Sequence, residues 1–262
     1  MNTWMTLAAA VGALGMAVAP AAQAAGPTKA TTIVLVHGAF AGSSSWNPVI
    51  SELVRGGYPV IAAANPLRTL KGDADYVARI VASTPGPVVL VGHSYGGEVI
   101  SMAAYGASNV KGLVFVAGLA PEAGESAASL GDRFPTGTLG HALAPPVAQA
   151  NGLKDTYIEQ SKYWKQFAAD LPEATAIQMA ATQRPVPIET LSEPAGPGAW
   201  RTLPTWFIWG SADKNIPAAL HAFMARRAAA REAVEVKGAS HVVMLSHPHE
   251  VAAMIERAAA SH

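Results

Sequence analysis

From residue 31 onward, the chain alternates between short apolar runs and apolar positions at helical spacing. The β-branched run Thr31–Val36 stops at His37-Gly38, which is typical of a buried strand in a parallel sheet. Apolar residues then recur at helical spacing between 46 and 54, and a second short apolar run follows at 58–62. The same order repeats as a helix over about 73–81, a strand over 87–91, a helix over about 96–107 and a strand over 110–116. This alternation predicts an α/β fold with a mostly parallel sheet and helices on both faces.

The pattern changes between about residues 120 and 200, where Gly and Pro are frequent and long strand candidates are lacking. Helical spacing there is limited to about 155–169 and 173–181. The alternation resumes with a strand at 205–209, a helix at about 217–229, a strand at 233–236 and a closing helix at about 248–260. We therefore predict a core in two parts, 25–119 and 201–262, with an inserted helical cap over 120–200.

The first 24 residues carry no charged side chain, and Met5–Val18 is a nearly unbroken apolar run. The run ends near Pro20 and the small-residue stretch Ala21–Ala24, which is the layout of an export signal cleaved after Ala24. We therefore predict a signal peptide over 1–24, a periplasmic or secreted location and no integral membrane association after cleavage. Because the start lacks the usual Lys or Arg, an uncleaved membrane anchor and a disordered cytosolic leader stay open as alternatives.

The amino-acid composition limits the partners and the reacting groups that the chain can use. The 262 residues are 50% hydrophobic, which is enough for one sizeable core. Lys plus Arg and Asp plus Glu both number 18, so no net charge would attract nucleic acid or an anionic membrane. The absence of cysteine excludes disulfides, thiolate nucleophiles and Cys-ligated metals. The chemistry must therefore use oxygen, imidazole or carboxylate groups.

Ser94 stands in the run Gly92-His93-Ser94-Tyr95-Gly96-Gly97, between a predicted strand and a predicted helix. A serine nucleophile needs a base to take its proton and a position clear of the backbone. A Gly-x-Ser-x-Gly turn gives that position, because strand and helix pass too close at Gly92 and Gly96 to admit side chains. The turn also directs the Tyr95 amide and the positive helix end toward a developing oxyanion. Ser94 is the predicted nucleophile, in a strained conformation at the tip of the turn.

An acid and a base follow later strands, in the order Ser, acid, His. Asp213 comes just after the strand at 205–209, and His241 just after the strand at 233–236. Because the carboxyl ends of parallel strands share one edge, both side chains can converge on Ser94. We predict a Ser94–His241–Asp213 triad, with Glu122 as the alternative acid and a plain turn carboxylate as the alternative role of Asp213.

The other histidines are interpreted as structural. His37 ends a strand and is expected to brace its loop, whereas His93 lies inside the Ser94 turn and His221 lies on a helix face. The remaining members of this group lie in the cap or beside the last helix: His141, His247, His249 and His262.

A second backbone donor to an oxyanion is expected in the loop His37-Gly38-Ala39-Phe40. Loss of one such donor typically lowers a rate by about a hundredfold to a thousandfold. We predict the Ala39 amide as this donor beside Tyr95, with the Phe40 amide next in order. A plain glycine turn is the alternative interpretation.

These residues together resemble the α/β-hydrolase superfamily from Thr31 to the end of the chain. More narrowly, Val34–Ala39 and Ser240–Pro248 resemble the branch that contains plant methylesterases and hydroxynitrile lyases. The resemblance implies that Ala39 and Tyr95 are the oxyanion donors. The lyases of this branch generally carry Thr in place of Gly38 and Lys in place of Val242, so these two residues favour the esterase.

Carboxylic ester hydrolysis is therefore the predicted reaction, and it requires no metal or organic cofactor. The predicted substrate is a small ester that carries an apolar group. Phe40 and Trp164 are the predicted substrate-binding residues, although the cap aromatic residues could equally form the cap's own core. Acyl transfer or perhydrolysis, lyase or amide cleavage, and non-catalytic binding of a small ligand are the alternatives. The sequence leaves the oligomeric state open.

Overall fold

A computed structural model of the chain describes Met1 and residues 29–261. The predicted signal peptide, apart from Met1, lies outside the described residues. The strands are, in chain order, β1 (Thr32–Val36), β2 (Val60–Ala63), β3 (Val88–His93), β4 (Val110–Val116), β5 (Val147–Ala148), β6 (Lys154–Thr156), β7 (Val186–Pro187), β8 (Thr205–Gly210) and β9 (Glu232–Val236).

The α-helices of the described residues are, in chain order, α1 (Asn47–Arg55), α2 (Leu70–Ser83), α3 (Gly96–Ala103), α4 (Ala127–Arg133), α5 (Gln160–Phe167), α6 (Glu173–Thr182), α7 (Ala218–Arg227), α8 (Val243–Ser246) and α9 (Pro248–Ala260). None of these described helices has the length and apolar character that crossing a membrane requires.

Six strands form one central sheet in the order β2-β1-β3-β4-β8-β9, and every pairing in it is parallel. The inner strands β1 and β3 are buried along their whole length, which explains their unbroken apolar runs. The edge strands β2 and β9 are only partly buried, and β9 alternates between half-buried and exposed residues. The predicted mostly parallel sheet with flanking helices is confirmed.

The carboxyl ends of the strands make the edge on which the candidate site lies. Since β1 pairs with β2 on one side and β3 on the other, the chain order reverses at β1. Ligands of open α/β sheets bind in the crevice at such a reversal. The loops after β1, β3, β8 and β9 all begin at this edge.

The segment predicted as a helical cap contains α4, α5 and α6, together with a small antiparallel sheet of β5, β6 and β7. The helix predicted over 155–169 was too long at its start, because Asp155 and Thr156 belong to β6 and α5 begins at Gln160. The Asp155 carboxylate accepts a hydrogen bond from the Arg68 guanidinium at 2.8 Å. This long-range pairing ties the cap segment to the core and has no signature in local spacing.

A buried acidic residue lies in the first turn of α3, just behind the Ser94 turn. Glu98 is 1% exposed, and its Oε1 atom has no hydrogen-bond partner among the described residues. Burial, followed by the charge of Glu193, raises the pKa of Glu98 from 4.5 to about 8. The Glu193 carboxylate itself accepts the Leu70 N–H at 2.7 Å, at the start of α2.

This raised pKa predicts a pH-dependent loss of stability. Between about pH 4.5 and pH 8 the folded state holds a proton on Glu98 that the unfolded chain releases, so stability falls as pH rises. Glu98→Gln removes the ionisation, and its melting temperature should exceed that of the wild type increasingly toward the alkaline end of this range. Thermal unfolding followed by circular dichroism across the range measures the difference. Glu173→Gln, at an exposed position of α6, is the matched control, and a constant offset for Glu98→Gln would contradict the prediction.

Candidate active site

Ser94 stands at the tip of a tight turn between β3 and α3. Its φ angle is 54°, in the left-handed region that non-glycine residues rarely adopt. A Cβ atom on Gly92 would lie 2.5 Å from the Gly96 carbonyl oxygen, and one on Gly96 would collide with the Val36 carbonyl. The Ser94 N–H donates to the Ala117 carbonyl at 3.1 Å. The turn therefore needs its glycines, and the surrounding backbone holds Ser94 in its unusual conformation.

The loop after β1 lies directly against this turn. A Cβ atom on Gly38 would lie 2.6 Å from the Ser94 Cβ and 2.7 Å from the His93 carbonyl oxygen. Real Cβ atoms do not approach other atoms so closely, so any side chain at position 38 would displace the turn. Gly38 thus brings the next two residues, Ala39 and Phe40, to the side of Ser94.

Two cap residues hold the backbone of Phe40, whose φ angle is 59°. The Phe40 N–H donates to the Arg184 carbonyl at 2.9 Å, and the Phe40 carbonyl accepts the Tyr163 hydroxyl at 2.8 Å. The Phe40 amide is thus engaged within the protein, and the Ala39 amide stays the predicted loop donor. Ala39, Tyr95 and Ser94 all line one cavity.

His37 braces this loop as a neutral imidazole. Its Nδ1 atom lies 2.9 Å from the Gly38 carbonyl oxygen and must donate there, since a carbonyl only accepts. Its Nε2 atom accepts from the Arg184 guanidinium at 3.3 Å. Burial, opposed by the Gly38 hydrogen bond and aided by the Arg184 charge, lowers the pKa of His37 to about 4. The residue therefore supports the loop at neutral pH without carrying a charge.

Asp213 and His241 lie in the loops after β8 and β9, and their side chains meet there. The His241 Nδ1 atom is 2.7 Å from Asp213 Oδ2. The other carboxylate oxygen accepts the backbone N–H groups of Asn215 at 2.8 Å and Ile216 at 3.0 Å. Burial alone would raise the pKa of Asp213, but the His241 and His221 imidazoles outweigh it and hold that pKa well below its usual value. Asp213 is therefore an anion facing His241.

The alternative acid, Glu122, lies elsewhere. Its carboxylate accepts hydrogen bonds from the Arg201 guanidinium, one of them from Nε at 3.0 Å. Arg227 also approaches it, at 4.0 Å. Glu122 thus belongs to a charged network at the edge of the cap, and Asp213 is the carboxylate beside His241.

His93, inside the turn, supports the backbone of His241. Its Nε2 atom lies 3.1 Å from the His241 carbonyl oxygen, so Nε2 is the protonated nitrogen. The two imidazole rings are 4.8 Å apart between centroids. Burial, and then the proximity of His241, lower the pKa of His93 well below its usual value. A neutral His93 thus links the Ser94 turn to the loop that carries His241.

One cavity of about 490 Å³ opens onto Ser94 and His241. Its lining is mostly apolar and comes from the β1 loop, the Ser94 turn, α4 and the residues after it, α5, and the segment after Asp213: Ala39, Phe40, Ser94, Tyr95, Leu119, Ala127, Ala128, Gly131, Asp132, Phe134, Pro135, Gly137, Leu139, Gly140, Leu143, Phe167, Ile188, Leu191, Ser192, Asn215, Ile216, Pro217, Leu220 and His241. Among the described residues that line it, none is Lys or Arg.

Of the two predicted substrate-binding residues, Phe40 lines this cavity and Trp164 does not. The Trp164 indole N–H instead donates to the Leu171 carbonyl at 3.0 Å. Trp164 is partly buried and packs against the hydrophobic core, so the structure places it outside the cavity wall. In the part of the chain that the structure describes, no three His, Asp or Glu side chains are grouped to hold a metal ion.

Sequence reasoning missed α4 and the segment 188–192 as parts of the cavity wall. Both lie in the Gly- and Pro-rich region, where short helical turns give little periodicity. Three further residues of the wall, Ile216, Pro217 and Leu220, follow Asp213 closely in the sequence. Their position after the predicted acid is a signal that could have placed them near the site. His221 was assigned only to a helix face, although it reaches the Asp213 carboxylate at 3.2 Å.

A model of the alpha/beta hydrolase family matches residues 33–254. The chain belongs to that family. The pyrethroid hydrolase of Sphingobium wenxiniae is 28% identical over 246 residues, covering 86% of each chain. Norfluorocurarine synthase 2 of a Strychnos species is 27% identical, covering 87% of this chain and 95% of its own. An esterase of Oryza sativa subsp. japonica is 25% identical, covering 83% of this chain and 91% of its own, so a hydrolase and an esterase are among the relatives of this chain.

Solved structures agree with this membership. Polyneuridine aldehyde esterase has a TM-score of 0.75 and 19% identity, with 87% of this chain and 99% of that chain covered. A methylesterase from Arabidopsis has a TM-score of 0.70 and 15% identity, with 87% and 98% covered. At these identities the likeness concerns the fold, and it confirms the expected alpha/beta hydrolase architecture.

The hydrogen bond from the Tyr163 hydroxyl to the Phe40 carbonyl should stabilise the folded protein. Tyr163→Phe leaves the buried Phe40 carbonyl without its donor, so the free energy of unfolding should fall by about 1–3 kcal/mol. Urea denaturation measures this change. Tyr105→Phe is the matched control, because Tyr105 is 61% exposed and should tolerate loss of its hydroxyl. Equal stability of the two variants would show that the Tyr163 hydrogen bond contributes nothing.

Proposed function

We propose that this alpha/beta hydrolase cleaves carboxylic esters through an acyl-enzyme intermediate on Ser94. His241 takes the proton of the Ser94 hydroxyl as Oγ attacks the ester carbonyl carbon, and the Ala39 and Tyr95 amides bind the oxyanion. Asp213 stabilises the resulting imidazolium, which then protonates the departing alcohol oxygen. Water, deprotonated by His241, attacks the acyl carbon and releases the carboxylic acid. Ser94 recovers its proton from His241.

The pairing of Asp213 with His241 is the observation that carries this proposal. A 2.7 Å contact between a buried carboxylate and Nδ1 leaves Nε2 as the imidazole atom available to act as a base. His241 and Ser94 line the same cavity, and Ser94 stands clear of the backbone at its turn. The combination fits acyl transfer from an ester to water.

The cavity supports a neutral ester with an apolar group as substrate. Its described lining offers aliphatic and aromatic side chains, and Asp132 is its one carboxylate. Because none of the described residues that line the cavity is Lys or Arg, a carboxylate or phosphate on the substrate would find no cationic partner among them.

Two residues favour hydrolysis over hydroxynitrile cleavage. Gly38 cannot be replaced by Thr without displacing Ser94, because its Cβ would lie 2.6 Å from the Ser94 Cβ. Val242, directly after His241, is fully buried and apolar, so it places no cation near a departing cyanide.

Loss of the nucleophile is the main test. Ser94→Ala should lower kcat/KM for p-nitrophenyl acetate and butyrate by at least about a thousandfold, since the nucleophile and its base act as a unit. Ser192→Ala is the matched control, because this second serine lines the same cavity. Absorbance of released nitrophenolate measures the rates. If wild type and Ser94→Ala are equally inert over a broad ester panel, the proposal fails.

The packing of Gly38 gives a second test. Gly38→Ala forces the loop away from the Ser94 turn, and a displacement of about 1 Å at a reacting centre lowers activity roughly a hundredfold. Gly131→Ala is the control, because a Cβ at Gly131, in the same cavity wall, meets no atom within 4 Å. The rates on p-nitrophenyl butyrate distinguish them. Full activity of Gly38→Ala would contradict the assigned role of the β1 loop.

A further inference from the structure

The carboxylate of Asp213 has a second imidazole partner that the proposed mechanism does not use. His221 Nε2 lies 3.2 Å from Asp213 Oδ2, the same oxygen that His241 contacts. His221 belongs to the first turn of α7 and is completely buried. Its ring stacks on Trp209, with centroids 5.7 Å apart and planes 22° from parallel. The stacking restrains the plane of the imidazole ring.

The protonation of His221 follows from its partners. A carboxylate that faces His241 can only accept hydrogen bonds, so His221 Nε2 must carry the proton. Its Nδ1 atom makes no hydrogen bond of good geometry among the described residues. Burial lowers the pKa of His221, and the proximity of His241 adds to that change. The Asp213 hydrogen bond and charge, and a weaker contact with the Gly118 backbone, oppose it without reversing it. His221 is therefore a neutral donor beside the carboxylate.

We propose that His221 is a positioning residue, whose Nε2–H orients the Asp213 carboxylate toward His241 and moderates the negative charge that His241 meets. With this bond, Asp213 accepts four hydrogen bonds, two on each oxygen. The backbone N–H groups of Asn215 and Ile216 hold Oδ1, and the two imidazoles hold Oδ2. The inference rests on the proposed function, since it concerns the acid of that triad.

Removal of the His221 donor should have two effects. The carboxylate loses one restraint on its rotation, so the His241 imidazole is less well aligned with Ser94. The charge on Oδ2 is also less neutralised, and it then stabilises the imidazolium form of His241 more strongly. A protonated His241 cannot take the Ser94 proton, so the acid limb of the pH–rate profile should move to higher pH.

Two variants separate a donor role from a packing role. His221→Leu fills a similar volume but has no hydrogen-bond donor. His221→Gln places a side-chain N–H near the position of Nε2, but its amide does not ionise. For p-nitrophenyl butyrate we expect His221→Leu to lose roughly tenfold in kcat with little change in KM, as for loss of one hydrogen bond to a charged group. Its acid limb should shift upward, and His221→Gln should restore both kcat and the wild-type profile.

Other results would overturn the proposal. If folded His221→Leu, with its melting temperature measured in parallel, keeps the wild-type kcat and profile, the bond has no positioning role. If His221→Gln is as impaired as His221→Leu, the imidazole is needed for packing or proton exchange and the donor explanation is wrong. His221→Gln also keeps the test open should the leucine variant fail to fold.

A measurement that needs no ester substrate can test the positioning role of His221 independently of the proposed hydrolysis. If neither hydrolysis nor fluorophosphonate labelling of Ser94 occurs in the wild type, the proposed function fails on its own. The low-field proton resonance of the His241–Asp213 hydrogen bond still reports on positioning. It should be alike in wild type and His221→Gln and shifted or lost in His221→Leu, and an identical resonance in all three would contradict the inference.

Discussion

The close approach of three backbone segments at Ser94 is the constraint on which the site depends. The end of β3, the start of α3 and the loop after β1 pass one another so closely that Gly38, Gly92 and Gly96 have no room for a Cβ. This contact holds Ser94 at a positive φ, and Ala39 and Tyr95 line the same cavity as Ser94. Strain at one residue is tolerated because the packing of its neighbours determines it.

A second constraint joins the loops after β8 and β9. A Cβ on Gly210 would collide with the Ala239 carbonyl, and the Ala212 N–H donates to that same carbonyl at 3.0 Å. The two loops are thus packed together, which brings Asp213 to His241. A buried carboxylate is costly unless it is paired and hydrogen-bonded, and the four donors around Asp213 meet that requirement.

The cap segment both encloses the cavity and supports the β1 loop. Tyr163 and Arg184 bind the two backbone polar groups of Phe40, while Phe167 and Leu143 line the cavity. The shape of the cavity and the position of the loop after β1 are therefore coupled through the same segment. A change in the cap that suits a different substrate would also act on the backbone beside Ser94.

The sequence alone determined the alternation of strands and helices, the turn at Ser94 and the late loops with Asp213 and His241. These features are local, because buried strands are apolar, a strand–helix turn of this kind needs glycine, and parallel strand ends share one edge. Only the tertiary structure decided that Trp164 lies outside the cavity wall, that Asp155 belongs to a strand and that His221 reaches Asp213. Such contacts join residues without periodic spacing, and their geometry depends on how separate segments pack in space.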